Sequence, residues 1–354
     1  MYTGWLGFDG VYQKKGGESL NNKKVSVCIP FYNIEPYVRR CLDSVLGNTY
    51  QNLEVICVND GSTDGTSAVL HEYAEKDSRV IVVDKENGGI VSARQAAMDI
   101  AAGDFISFID GDDWVHPQFF EILVSVREKT DADAVVCGYV KTDHEESNPE
   151  IDLDQVIYTI DGLDCVSRKR DVRALIWGRL YTSELIPTLQ VDRDIAIGED
   201  AILNLLFLCN KPKVKIAVVS EKLYYYFQRP GSLVHTLSHL NRVKVCDYFA
   251  RHINEIENCS GQKIIIDEIL RSMFSYRYLA MFLPEQKSVQ RHCRELYVLC
   301  KNRWDSLLSY REKCKYTLIY HCPAFYRLFR IITDPTMLDW ERAEKKRQRE
   351  KAGK

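Results

Sequence analysis

The chain has 354 residues, 45% of them hydrophobic, enough to bury a core and long enough for one large domain plus an appendage. Its formal net charge of −3 gives no reason to expect a nucleic-acid partner. The twelve cysteines are scattered with no CxxC pair, which fits buried free thiols in a reducing compartment better than a disulfide framework or a zinc site.

Residues 1–24 lack an apolar core of the length a secretory signal needs, and they read as a flexible leader. No run of about 18 apolar residues follows, so no membrane span is expected and the cytoplasm is the expected compartment. Val25 to Ile29 is short, apolar and β-branched, which predicts a first strand ending at Pro30-Phe31-Tyr32-Asn33. Tyr37, Val38, Cys41, Leu42, Val45 and Leu46 then share one face at helical spacing. Leu53 to Val58 predicts a second strand, ending at Asn59-Asp60-Gly61. Asp64 and Thr66 offer capping oxygens to a helix running to about Ala74. Arg79 to Val83 is a third strand, and Asn87-Gly88-Gly89 reads as a turn opening the next helix, with Arg94 about one turn in. Phe105 to Ile109 is a fourth strand, ending at Asp110-Gly111-Asp112-Asp113.

Strands that read as continuous apolar runs separated by helices predict an α/β fold: a Rossmann-like, mostly parallel sheet with helices on both faces. Ligands bind such sheets at the carboxyl ends of the strands, where the polar clusters of this sequence fall. Residues 138–235 are more mixed, with Glu199-Asp200 before an apolar helix, a strand-like run at Val214–Val219 and an aromatic cluster at Leu223–Phe227. Residues 236–340 read as a helical C-terminal region and 341–354 as a basic tail.

The clusters suggest chemistry, each beside a plainer reading. Carboxylates crowded at 110–113 repel one another unless a cation or solvent intervenes. As hard oxygen ligands they suit Mg²⁺ or Mn²⁺ with substrate phosphates, and glycine between them permits a sharp turn and leaves room for a ligand; alone they are a solvated acidic turn. Asp60 could accept from the imide N–H of a pyrimidine, selecting uracil over cytosine, or serve only the turn. The glycines at 88–89 open a helix N-terminus that favours phosphate, and Arg94 could reach a phosphate or an acidic neighbour. Glu199-Asp200 offers a general base for a sugar hydroxyl, or acidic first-turn residues of a helix. Arg229-Pro230-Gly231-Ser232 is either a loop whose arginine closes over a diphosphate or a surface turn.

Taken together and in this order, Val25 to Asn33, Val58 to Asp64, Asn87 to Arg94, Asp110 to Asp113 and Glu199-Asp200 resemble the family 2 glycosyltransferases of the A-type fold, over about Lys24 to Gly231. The resemblance implies a donor-binding half at 25–137 and an acceptor and catalytic-base half at 138–235. It implies that Pro30, Tyr32 and Asp60 line a nucleoside pocket with Asn33 beside them. Asn87, Arg94, Gly111, Arg229 and Ser232 would help hold the donor. Asp110 would approach the ribose or sugar and share the metal with Asp112, and Asp200 would be the base with Glu199 its rival. It further implies a nucleotide-sugar donor, UDP before other nucleotides, a glycan or lipid-linked acceptor, and inversion. The QxxRW motif of the processive synthases is absent, which points to a non-processive enzyme of polysaccharide or cell-surface glycan synthesis. Two alternatives are a nucleotidyltransferase, which lacks its glycine-rich basic signature after the first strand here, and a non-catalytic nucleotide-sugar-binding relative. The amphipathic Tyr316–Ile332 and the basic tail after it are a candidate contact with the inner face of the plasma membrane; the sequence is silent on oligomeric state.

Overall fold

The computed structural model describes residues 23–144, 157–161, 175–187, 191–192, 195, 199–209, 211, 214–229, 247–248, 251–252, 270, 286–304 and 308–322. The chain divides into two compact units, residues 1–236 and 237–354.

In the first unit, strands β1 (Val25–Phe31), β2 (Leu53–Asp60), β3 (Val80–Lys85) and β4 (Phe105–Phe108) alternate with helices α1 (Glu35–Leu46), α2 (Thr66–Lys76) and α3 (Gly89–Ile100). After these come β5 (Trp114–Val115), α4 (Phe119–Thr130), β6 (Ala134–Thr142), β7 (Ile157–Asp161), β8 (Arg179–Thr182), α5 (Glu199–Cys209) and β9 (Lys215–Phe227). One sheet carries all these strands in the order β3-β2-β1-β4-β8-β6-β9-β5, with β7 also on β9.

The expected α/β architecture is present. β3, β2, β1 and β4 are parallel, and every residue of β2 is buried, as a central strand covered on both faces requires. Beyond β4 the sheet is mixed: β8 runs antiparallel to β4 and β6, while β9 is parallel to β6 and antiparallel to β5 and β7. α1 lays Val38, Cys41, Leu42 and Val45 into the core at i, i+3, i+4 and i+7. Each fully buried aliphatic side chain of this kind contributes about 1.5–3 kcal/mol.

Several sequence expectations shift. β2 runs two residues past Val58, because Asn59 and Asp60 keep pairing with Asp84 and Lys85 of β3. Asp64 accepts from the Thr66 N–H at the start of α2 as expected. The Thr66 hydroxyl instead accepts from the Ile34 N–H and so joins the loop after β1 to α2. The two runs at Val214–Val219 and Leu223–Phe227 are one thirteen-residue strand.

In the second unit, α6 (Gln286–Lys301) buries Cys293, Leu296, Tyr297 and Cys300. A capping box starts α7 (Tyr310–His321): the Ser309 hydroxyl accepts from the Glu312 N–H, and the Glu312 carboxylate accepts from the Ser309 N–H. Tyr297 of α6 stacks on Tyr320 of α7 with centroids 3.7 Å apart. No helix among the described residues is long and apolar enough to cross a membrane. Residues 1–22 of the leader 1–24, residues 323–332 of the Tyr316–Ile332 segment expected at a membrane surface, and the tail 341–354 lie outside the described residues; Tyr316 and Ile319 of that segment are buried. Cys28, Cys41, Cys57, Cys137, Cys293 and Cys300 are buried, while Cys314 and Cys322 are exposed. Burial pushes the Cys28, Cys41, Cys57 and Cys137 thiols well up.

Candidate functional site

The carboxyl ends of β1, β2 and β3 are tied to one another. Pro30, next to last in β1, lies opposite Val58, and Tyr32 follows the strand, half-exposed at 49%. Asn33 sits at φ 50°, the left-handed region that asparagine tolerates. Its side-chain oxygen accepts from the Thr63 N–H at 2.7 Å, and its own N–H donates to the Ser62 hydroxyl at 3.1 Å. Gly61, at φ +73°, has no room for a Cβ, which would lie 2.7 Å from the Asn87 nitrogen. Asn87 itself is exposed beside this close approach.

Asp60 is filled from within the protein. One of its oxygens accepts from Lys85 Nζ at 2.5 Å and the Gly88 N–H at 2.9 Å, the other from the Gly89 N–H at 2.8 Å. The helix N-terminus expected to favour phosphate therefore already holds a carboxylate. The second oxygen keeps one lone pair without a partner among the described residues, on a side chain only 4% exposed.

The acidic loop after β4 is built onto β9. Asp113 is fully buried; one of its oxygens accepts from the Tyr224 hydroxyl at 2.6 Å and the other from the Phe227 N–H at 2.8 Å. The same Tyr224 oxygen accepts from the Asp110 N–H at 3.1 Å. Burial, then the charges of Asp112 and Asp110, hold the Asp113 carboxyl well above the usual range. Strand alternation puts Tyr224 and Tyr226 on Trp177, at 4.5 and 5.3 Å, and Tyr225 on Trp114 across the sheet at 5.2 Å. Arg40 lies 4.1 Å over the Trp114 ring and 4.3 Å over Phe227, and donates to the Asp112 carbonyl at 2.7 Å. Gly111 is needed for a reason other than the expected turn or ligand space. A Cβ there would meet Phe31 at 2.6 Å and Ile34 at 2.8 Å, so core side chains fill the room.

Asp110 and Asp112 are partly exposed. One oxygen of Asp112 accepts from Arg229 Nε at 2.6 Å, and one oxygen of Asp110 from Arg94 at 2.8 Å. The second oxygen of each has no partner among the described residues. Burial and then the Asp110 charge push the Asp112 carboxyl up, with Arg229 opposing. Among the described residues no group of three His, Cys, Asp or Glu could hold an ion unaided. Two crowded carboxylates with open oxygens fit Mg²⁺ or Mn²⁺ in the way these ions are commonly bound, with substrate phosphates completing the shell.

Arg94 and α5 complete the cluster. The Arg94 side chain is 1% exposed, and its guanidinium donates to Asp110, Glu199 and Asp200. The contact is 3.3 Å to Glu199 and very close to Asp200. Of the two neighbours expected for Arg94, a phosphate or an acidic residue, the acidic one is met. Burial, with the Asp200 charge beside it, pushes the Glu199 carboxyl up to about 8. Burial also raises Asp200, but Arg94 works against that shift.

The structure thus brings Asp110, Arg94, Glu199 and Asp200 into one cluster, joins Arg229 to Asp112, and gathers Asn33, Asp60 and Asn87 in neighbouring loops. Ser232 lies outside the described residues. Lys85, Arg40 and Tyr224 have no part in the sequence reading, and Asp113, read there only as one of the crowded carboxylates, turns inward to β9. For Tyr224 the only available signal was its place in the aromatic run; Lys85 and Arg40 carried none.

Residues 26–174 match the family described as Glycosyl transferase family 2. The chain is 33% identical over 216 residues to the uncharacterized glycosyltransferase EpsJ of Bacillus subtilis (strain 168), covering 59% of this chain and 62% of that protein. It is 32% identical over 225 residues to glycosyltransferase GlyA of Streptococcus pneumoniae serotype 4 (strain ATCC BAA-334 / TIGR4), covering 60% of this chain and 32% of that protein. The chain therefore spans less than two thirds of the length of either relative. Among solved structures, S. aureus TarS 1–349 superposes with a TM-score of 0.58 at 20% identity, over 80% of this chain and 83% of that one. The same protein in complex with UDP-GlcNAc gives 0.51 at 18% identity, over 81% and 93%. These likenesses are of fold.

Proposed function

From the match of residues 26–174 to glycosyl transferase family 2 we propose that the chain is a glycosyltransferase that moves a sugar from a UDP-sugar to a hydroxyl of a glycan or lipid-linked acceptor, with inversion. One observation carries the reading: Asp110, after the fourth parallel strand, and Asp200, at the start of α5, meet on the same guanidinium. A donor-side carboxylate and a candidate base are so placed side by side, at the strand ends where such sheets bind ligands.

In this reading Asp200 takes the proton of the acceptor hydroxyl as its oxygen attacks the anomeric carbon. The bond from that carbon to the diphosphate breaks, and its electron pair leaves with UDP. Arg94 is the leading force against the rise at Asp200, while the Asp200 charge adds to the rise at Glu199, so Asp200 is the one better kept ionised. Asp112 and Asp110 would hold a divalent ion, which supplies charge neutralisation for the departing diphosphate. Tyr32 and Asp60 serve the nucleoside end, where the open Asp60 lone pair favours an imide. The complex of S. aureus TarS with UDP-GlcNAc supports the choice of nucleotide, and the fold is shared.

A panel of nucleotide sugars with Mn²⁺ tests this, with released nucleoside diphosphate as the readout. Release of UDP from at least one UDP-sugar is expected. Release from none, or pyrophosphate from a nucleoside triphosphate instead, would sink it.

A further inference from the structure

Arg94 has two conceivable tasks: to hold the donor diphosphate, or to hold the protein's own carboxylates. The geometry favours the second. One terminal nitrogen is spent on Glu199 and Asp200, the other donates to Asp110, and Nε is buried without a partner. The Arg94 side chain is 1% exposed, so a phosphate reaching the one N–H left on that second nitrogen would have to open the cluster and bring its own charge among three carboxylates, which is costly. The side chain has little freedom to swing out. It rises from α3, whose residues Val91, Ser92, Ala93 and Ala97 are buried and which packs on β1 and β2.

The carboxylates, in turn, have reason to need it. Asp110 and Asp200 belong to elements far apart in the chain, and like charges gathered on one guanidinium repel each other. Arg94 is the one cation that the described contacts place against both. Its fork presents nitrogens at fixed angles, so the two carboxylates are set in orientation as well as in charge.

We propose that Arg94 is a positioning residue, locking the donor-side Asp110 and the base Asp200 into one arrangement and acting on turnover rather than on donor affinity. The proposal rests on the glycosyltransferase reading above.

The test compares wild type, Arg94→Met, Arg94→Lys, Asp200→Asn and the double variant Arg94→Met/Asp200→Asn. UDP affinity with Mn²⁺ is measured by calorimetry, and kcat by UDP release from the nucleotide sugar chosen in the donor panel. Arg94→Met is expected to bind UDP within about threefold of wild type while kcat falls about a hundredfold. Arg94→Lys, which keeps the charge without the fork, should recover about tenfold of that loss. The double variant should lose less than the product of the two single losses, because Arg94 acts in part through Asp200. A merely structural role would give additive losses. A tenfold rise in the UDP dissociation constant, an unchanged kcat, or additive losses would each overturn the proposal. If Arg94→Met does not fold, Arg94→Lys decides by the same split between affinity and kcat. A wild type that binds UDP but releases it from no donor overturns the underlying reading, and the proposal with it.

Discussion

Two regions at the strand ends hold carboxylates by opposite means. At the β2 end, Asp60 accepts from one ammonium and from two backbone N–H groups of a helix N-terminus. Beyond β4, Asp110, Asp112, Glu199 and Asp200 lean on two arginine side chains, Arg94 and Arg229. Backbone donors are fixed by the fold, so the first end is held in one shape. Guanidinium partners leave open carboxylate oxygens and crowded charge at the second end, which is where the proposed chemistry lies.

The comparison breaks first at Asp200. Asp200→Asn should cut turnover by about 10²–10⁴-fold, the range for losing a general base, while leaving UDP affinity within about twofold. A variant retaining full turnover would move the base elsewhere, with Glu199 the first place to look. Gly111→Ala asks whether the acidic loop is shaped by packing or by ligand. Its new Cβ would press on Phe31 and Ile34, so unfolding should cost about 1–3 kcal/mol less. Unchanged stability with lost nucleotide binding would restore the view that this glycine makes room for a ligand. Tyr224→Phe removes the hydroxyl shared by Asp113 and the Asp110 N–H. A destabilisation of about 1–3 kcal/mol is expected in chemical denaturation, and none would mean that Asp113 is satisfied without it.

The mildest effect is at Glu199. Its carboxyl keeps a proton to about pH 8 in the fold, against an ordinary value of 4.5. The folded chain therefore binds more protons between those values, and stability falls as pH rises from about 4.5 to about 8. Glu199→Gln stays neutral, so its melting temperature should fall less across that window. Parallel pH profiles for the two proteins would remove Glu199 from the uncompensated charge.

Much of the first end was legible, because its information is local. Val25–Ile29 and Leu53–Val58 are apolar runs closed by polar residues, and the parallel strands lie where those runs predict. The second end depends on contacts that no local pattern carries. Arg94 and Asp200 are 106 positions apart, and Tyr224 and Asp113 are 111. Residues 110–113 read as one acidic cluster, yet the fold sorts them: Asp113 inward to β9, Gly111 against Phe31, Asp110 and Asp112 outward to arginines. Asp60 was legible as a strand-end carboxylate but not as the anchor of Gly88 and Gly89, because that bond needs the register of β2 on β3. The two-residue strand β5 escaped notice because its existence comes from pairing with Tyr224 and Tyr225 rather than from any periodicity of its own.

The buried thiols make the molecule report its own opening. A thiol reagent attacks thiolates it can reach, so Cys314 and Cys322 should be consumed at once. Cys28, Cys41, Cys57 and Cys137 would wait on the opening of the first unit, and Cys293 and Cys300 on that of the second. Mass spectrometry of a labelling time course then times each unit separately without any engineered probe. A shared rate for the two protected groups would mean that the units come apart as one, and two rates that each keeps its own stability.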